Sequence, residues 1–343
     1  MRYNPAFDVI RAVSVLSVVA FHCNFPISNG GFIGVDVFFV LSGFLITTIL
    51  REELKTADGI SLGRFYYNRF LRLCPPLFMM LLVYAATAPL LFPSVNIIKD
   101  ISLVGLYLSD YSRAFWGVPD YLNHTWSLSV EEHYYMIWPL VVLATRRLSN
   151  HSFFTILIVG FIFASAWRMH EITETAQWGE TYFRFDTRMS GLILGSAISA
   201  ISKYPRPTVA TALGAAAIII LLWFAFQLRW KMTTALLWGG VSVDLAAAIL
   251  ILSVASGQSL LARIFSWKPF VYLGLLSYSI YLWHYPIARL LRDQLDPTTT
   301  FLIVGGASIA VAALSYEFIE KPVKAFRKRR VLAASKVLQH SGS

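Results

Sequence analysis

A chain of 343 residues that is 57% apolar, only 14% charged and has a mean hydropathy of +0.60 is too apolar for a soluble domain; such domains carry about a quarter charged residues. The formal charge of +10 invites a nucleic-acid reading, but the surplus falls in short loops and a tail, where it meets anionic lipid instead. Two cysteines, Cys23 and Cys74, exclude a disulfide framework, and neither has the spacing of a metal site.

Apolar runs of about 20 residues, enough at ~1.5 Å per residue to cross a ~30 Å hydrocarbon core, recur along the whole length. They predict an all-α, polytopic membrane protein of about ten transmembrane helices at 7–25, 32–50, 75–93, 126–144, 152–168, 182–201, 208–227, 233–255, 270–291 and 301–319. The apolar stretch 97–108 is too short to cross and is expected to be re-entrant or interfacial. A basic residue before an apolar run also opens a secretory signal, but Asp8 and Arg11 interrupt that layout and no small-x-small site precedes Cys23. The segment is therefore read as the first span. Residues 1–322 form one membrane domain, and 323–343 a basic cytoplasmic tail.

Sidedness follows from the basic residues. With the N-terminus inside, nineteen lysines and arginines fall in cytoplasmic segments, including Arg64, Arg69, Arg72, Arg146, Arg147 and the run Arg327–Arg330. Six (Lys99, Arg113, Arg168, Arg229, Lys231 and Arg292) fall outside. An eleventh span at 97–108 would reverse the later segments and break the positive-inside rule, so both termini are expected in the cytoplasm.

An ionisable group within a span costs about 2.5–3.5 kcal/mol on insertion scales, so each one needs a reason. Arg11 and His22 share a face of the first span to within ~20° and lie ~16 Å apart along its axis. Taken singly, each has a better structural explanation: Arg11 pairs with Asp8 or snorkels, and His22 caps a helix end. In the second span, Asp36 lies in a glycine-rich opening and is expected to be a buried partner for an arginine. Arg69 and Arg72, at i and i+3 before Pro75-Pro76, suit a phosphate ligand, although an ordinary basic surface helix would look the same.

The fourth span opens Trp126-Ser127-Leu128-Ser129-Val130-Glu131-Glu132-His133. Two glutamates in its first turns are hard to explain structurally. Glu131 is expected towards the outer face, beside His22, as a carboxylate orienting a general base. Arg184 and Arg188, at i and i+4 in the sixth span, are expected to neutralise Asp36, Glu131 or Asp186. In the ninth, Tyr281-Leu282-Trp283-His284 sets one histidine in an aromatic girdle.

Together these motifs resemble the acyltransferase-3 family of bacterial membrane proteins, over residues 4 to 327. The resemblance is carried by Arg11 and His22 at the family's spacing, by Gly34–Phe44 and by Arg69-x-x-Arg72. It continues in Trp126-Ser127-Leu128 with Glu131, in Tyr281–His284 and in Phe318-Ile319-Glu320-Lys321-Pro322. It implies ten helices, an essential Arg11 and His22, an Arg-x-x-Arg motif on Arg69 and Arg72, and a motif glutamate on Glu131. His133 departs from the pattern, where glutamine is expected. Many relatives append an extracytoplasmic SGNH hydrolase-like domain, so the basic tail here implies the stand-alone form.

The resemblance implies a membrane O-acyltransferase that uses acyl-CoA, acetyl-CoA first, as co-substrate, with no tightly bound cofactor and no metal. The acceptor is a hydroxyl of a cell-surface or secreted glycan, or of a lipid-linked saccharide, such as O-antigen or exopolysaccharide. The expected catalytic set is His22, Glu131 and Arg11, with Arg69 and Arg72 on the acyl-CoA. Asp36, Trp126, Ser127, Arg184, Arg188, Tyr281 and His284 support them. Membrane lipids are expected partners and nucleic acid is not; the location is the bacterial inner membrane. Direct transfer is the first mechanism and an acyl-histidine the second. The competing class is a proton-coupled transporter or flippase using the same charges as a relay.

Overall fold

The computed structural model describes residues 3–56, 59–92 and 95–326. Among these residues every regular element is helical and no strand occurs, as expected where no water is present to satisfy exposed backbone groups.

The first helix, α1 (Pro5–His22), has Pro5 in its first turn, and its cap Asn4 accepts a hydrogen bond from the Ala6 N–H at 3.1 Å. A 3-10 turn, Gly31–Ile33, leads into α2 (Gly34–Thr56). Helix α3 (Leu62–Leu91) has 30 residues and runs through Pro75 and Pro76. At ~45 Å it outreaches a ~30 Å core, and its basic first turns, with Arg64, Arg69 and Arg72, are the surplus. Helices α4 (Ile97–Gly105) and α5 (Ser109–Trp116) are each under ten residues and too short to cross. Tyr84 of α3 donates to Asp100 Oδ2 at 2.8 Å and ties α4 down.

Helix α6 (Trp126–Ala144) occupies its expected span residue for residue. Helix α7 (Asn150–Thr175) runs past the expected end at 168. Arg168, expected in an outer loop, is instead inside the bundle with 1% of its surface exposed. The expected span 182–201 is broken into α8 (Trp178–Phe183), α9 (Phe185–Arg188) and α10 (Ser190–Ile198). The chain continues as α11 (Pro207–Gln227), α12 (Trp238–Ala255), the short α13 (Leu260–Ile264) and α14 (Lys268–Leu291). Helix α15 (Pro297–Ser315) passes through a π-turn, Tyr316–Glu320, and stays helical to Phe326. The expected basic tail lies outside the described residues beyond Phe326.

Among the described residues seven helices, α1, α2, α3, α7, α11, α12 and α15, are long and apolar enough to cross a membrane. Helices α6 and α14, with 19 and 24 residues, are of spanning length but carry the polar groups described below. Helices α1, α2 and α12 are mostly buried, whereas α3, α7, α11 and α15 turn most of their surface outward.

Lipid supplies no hydrophobic drive between helices, so the central ones are held by close approach and by hydrogen bonds. A Cβ on Gly43 would stand 2.0 Å from Leu192 O, and one on Gly195 would stand 1.9 Å from Val40 O, so α2 and α10 touch backbone to backbone. Helices α1 and α14 meet the same way, where Gly274 faces Asp8 O at 1.9 Å from an added Cβ. Between α2, α6 and α10, Trp138 Nε1 donates to Thr47 Oγ1 at 2.7 Å, Thr47 donates to Ser196 Oγ at 2.7 Å, and the Tyr134 hydroxyl meets Ser196 Oγ at 2.7 Å.

Candidate active site

A cavity of about 440 Å³ opens between α1, α2, α3, α6 and α14, at the end of the bundle where α1 begins. Arg11, Arg69 and Arg72 line it together with Glu131. Arg72, at the mouth, is exposed, and Arg69 is half-buried. The Arg69 guanidinium lies 3.6 Å over the Tyr135 ring, and its Nε is buried without a hydrogen-bond partner among the described residues. Arg11 Nη1 donates to Asp8 Oδ1 at 2.9 Å, while the Tyr3 hydroxyl donates to Asp8 Oδ2 at 2.6 Å. The pairing expected of Arg11 is therefore present, and it leaves Arg11 on the cavity wall. A smaller lobe of about 170 Å³ shares Arg11 and Arg72 and continues to Glu320 and Lys324. The π-turn rolls Glu320 onto α14, where Ser279 Oγ donates to its Oε1 at 2.8 Å.

The inner end of the cavity is polar. Glu131 Oε1 accepts from Ser42 Oγ of α2 at 2.6 Å. One turn earlier on α6, Ser127 Oγ meets the Tyr281 hydroxyl at 2.6 Å, and that hydroxyl donates to His124 O at 2.8 Å. Ser127 and Tyr281 line the cavity on one side and on the other touch His124 and His284, the second of which reaches His22. The His124 and Tyr281 rings are 5.4 Å apart, those of Tyr281 and His284 5.3 Å, and those of His22 and His284 5.1 Å. His22 Nδ1 lies 2.9 Å from His284 Nε2. His284 and His124 are fully buried, while His22, at the end of α1, is partly exposed.

This arrangement corrects the expected pairing of His22 with Glu131. His284 is the partner of His22, and Glu131 faces Ser42 and the arginines. The cause is depth. His124, Thr125, Trp126 and Ser127 are all at most 5% exposed, because α5 packs on the start of α6 and, with α14, on the 3-10 turn Asn123–Thr125 that leads into it. The fourth span thus begins inside the protein rather than at a surface. Its neighbour Glu132 lies outside the cavity, with Oε1 buried and unpartnered among the described residues.

Asp36 has the partner expected of it. Arg188 Nη2 donates to Asp36 Oδ1 at 2.7 Å, with the guanidinium over the Tyr182 ring at 4.5 Å and the Trp126 ring at 5.5 Å. Arg184 does not join it. Its ψ of 143° breaks the helix between α8 and α9, so the i, i+4 relation to Arg188 is lost. Arg184 instead binds Glu171 Oε2 at 2.6 Å and chelates Asp186, away from the cavity and from Glu131.

Beyond the expected residues the structure adds His124, Ser42 and Tyr135, and the buried pair Arg168–Asp244 at 3.9 Å, bridged by Ser190. Asp244, a lone acid in an apolar run, was a legible signal. His124 had only its place beside Trp126-Ser127.

No solved structure matches the chain. Among curated proteins, it is 31% identical over 348 residues to the peptidoglycan O-acetyltransferase OatA of Listeria monocytogenes, covering 94% of this chain and 56% of the relative. It is 32% identical to the putative peptidoglycan O-acetyltransferase YrhL of Bacillus subtilis, over 94% of this chain and 55% of the relative. It is also 32% identical to a putative O-acetyltransferase of Staphylococcus aureus, over 97% of this chain and 59% of the relative. The chain thus spans little more than half the length of these relatives. The Acyltransferase domain profile of acyltransferase-3 matches residues 4–317, nearly the whole length in which the motifs above occur, and the chain belongs to that family.

Proposed function

We propose that this chain is a multi-pass O-acetyltransferase of the bacterial inner membrane, with ten spans and both termini in the cytoplasm. Seven apolar helices, α6, α14 and the broken 178–198 segment supply the ten. The donor is cytoplasmic acyl-CoA, acetyl-CoA first, and the acceptor is a hydroxyl of a cell-surface glycan. The relatives' names make a peptidoglycan sugar the first acceptor to try.

One observation carries this reading: a cavity lined by three arginines ends against a wall, Ser127 and Tyr281, whose far side is the His22–His284–His124 cluster. Arginines bind phosphate as forks, so Arg69, Arg72 and Arg11 hold the donor's phosphates at the mouth. Glu131 offsets their mutual repulsion when no donor is bound. The thioester then points along α1 to the Ser127–Tyr281 wall and has to pass it to meet His22, ~16 Å from Arg11 on the same helix. His22 takes the proton of the acceptor hydroxyl, and the oxygen attacks the thioester carbonyl carbon. The C–S bond breaks, and the thiolate leaves with the proton returned by His22, giving an ester and free CoA.

The test uses the full chain in nanodiscs with acetyl-CoA and an N-acetylglucosaminyl-N-acetylmuramic acid disaccharide. Released thiol and alkali-labile acetate on the sugar are both measured. Wild type is expected to produce both, and His22→Ala neither, with the variant still monodisperse in the membrane fraction. Full activity in His22→Ala overturns the reading. Sugar movement across the disc without acetyl-CoA would favour a transporter instead.

A further inference from the structure

We infer that His284 is a positioning residue that fixes the tautomer of His22 and leaves His22 Nε2 as the reacting atom. The inference rests on the reading of His22 as the base. It starts from a backbone carbonyl, which only accepts hydrogen bonds.

His284 Nδ1 lies 2.7 Å from Tyr281 O, so Nδ1 carries the hydrogen. A neutral imidazole has one N–H, which leaves His284 Nε2 as a bare lone pair. That lone pair faces His22 Nδ1 at 2.9 Å, so His22 Nδ1 donates and His22 Nε2 is bare in turn. One carbonyl of α14 thereby sets both rings. The same logic orients the base in a nucleophile–base–orienter triad, with a neutral ring and a carbonyl here in place of the carboxylate.

The surroundings hold this order. His284 is fully buried and His22 is partly exposed, so the inner ring has no route to solvent and the outer one can meet an acceptor. The rings lie 5.1 Å apart and 27° from parallel. Tyr285 packs against His22 at 4.8 Å and stacks on His124 at 5.0 Å. Tyr281, whose carbonyl starts the chain, is anchored through its hydroxyl to Ser127 and His124. His124 Nε2 lies 3.1 Å from Leu282 O and so carries that ring's hydrogen, leaving a buried Nδ1 with no partner among the described residues beside the pair. When His22 Nε2 takes the acceptor's proton, the positive charge spreads along Nδ1–H···Nε2 into His284. It returns when Nε2–H protonates the departing thiolate, and nothing else is consumed.

A merely space-filling His284 makes different predictions from a positioning one. The full chain is assayed in nanodiscs as above, with His284→Leu and His284→Gln. Leucine offers His22 no acceptor, so kcat is expected to fall on the order of 10²-fold with KM for acetyl-CoA unchanged. Glutamine places Oε1 near the lost Nε2, so kcat is expected to recover to within about tenfold of wild type. Wild-type kcat in the leucine variant, or glutamine no better than leucine, overturns the inference. A second readout needs no turnover: solid-state ¹⁵N spectra of histidine-labelled protein, with His22 assigned by its loss in His22→Ala. Protonated Nδ1 and bare Nε2 are expected in wild type, and a mixture of tautomers in His284→Leu. The reverse tautomer in wild type sinks the inference, even if the protein turns over. No thiol release by wild type, with the expected tautomer present, sinks the acetyl-transfer reading instead.

Discussion

The buried pair Asp36–Arg188 makes a quantitative prediction. Arg188 Nη2 sits 2.7 Å from Asp36 Oδ1, with side chains 2% and 8% exposed, and Tyr182 and Trp126 close the guanidinium faces. Asp36→Leu conserves bulk but removes the hydrogen-bonded carboxylate from a buried cation, leaving it ring faces and the more distant Asp244, which Arg168 and Ser190 already engage. Removing one member of such a pair costs about 3–5 kcal/mol. At roughly 2 °C per kcal/mol for a chain of this size, the apparent Tm should fall by about 6–10 °C. The double variant Asp36→Leu/Arg188→Met has no charge to strand and should regain most of that loss, giving a large coupling energy. Cys23 and Cys74 are both buried, free thiols, so a thiol-reactive dye reports unfolding without added labels. If Asp36→Leu melts with wild type, or the double variant melts as low as the single one, the pair does not brace α2 against α9 and this reasoning is wrong.

Other consequences are more local. Arg69→Gln should raise KM for acetyl-CoA by about 10–100-fold with a smaller change in kcat, since a charged hydrogen bond contributes about 1.5–3 kcal/mol. Arg72→Gln, at the exposed mouth, should do less; a kcat effect without a KM effect in either would remove them from donor binding. Gly274→Val puts a Cβ 1.9 Å from Asp8 O, against an ordinary contact of 3.4–4 Å, and should abolish both stable accumulation and activity. Gly306→Ala in α15, where nothing lies within 4 Å, should instead gain about 0.5–1 kcal/mol; a loss on dye melting would contradict the packing described. Arg184→Gln should leave kcat and KM unchanged, because its partners are Glu171 and Asp186; a donor-binding defect would return it to the site.

The sequence showed most clearly what depends on run length. Helix α6 has its expected ends, and α11 differs from its expected span by one residue. Breaks and depths were hidden because hydropathy does not record them. Residues 182–201 read as one span, yet Arg184 turns out of helix to reach two carboxylates on either side of it. Pro75 and Pro76 suggested a beginning, yet α3 starts thirteen residues earlier, at Leu62. The partner of Asp36 was legible as an arginine because a lone buried acid needs one. The partner of His22 was not. His284 and Glu131 both belonged to outer-half motifs, and only the depth at which α6 begins chooses between them.

That depth also changes what Glu131 is for. As an outer carboxylate it would have competed with His284 for the same imidazole and held a charge next to the base. As an inner one it shares a cavity with Arg11, Arg69 and Arg72, where three cations without an anion would repel one another across low dielectric. The fold thus separates two tasks along α1. On the proposed reading, charge is concentrated where the donor's phosphates would enter, and the proton-transfer end is built from histidine rings and a backbone carbonyl. A neutral relay would suit that end on the same reading, since it keeps no permanent charge buried in the bundle, and His22 and His284 would carry charge only while the proton is in transit.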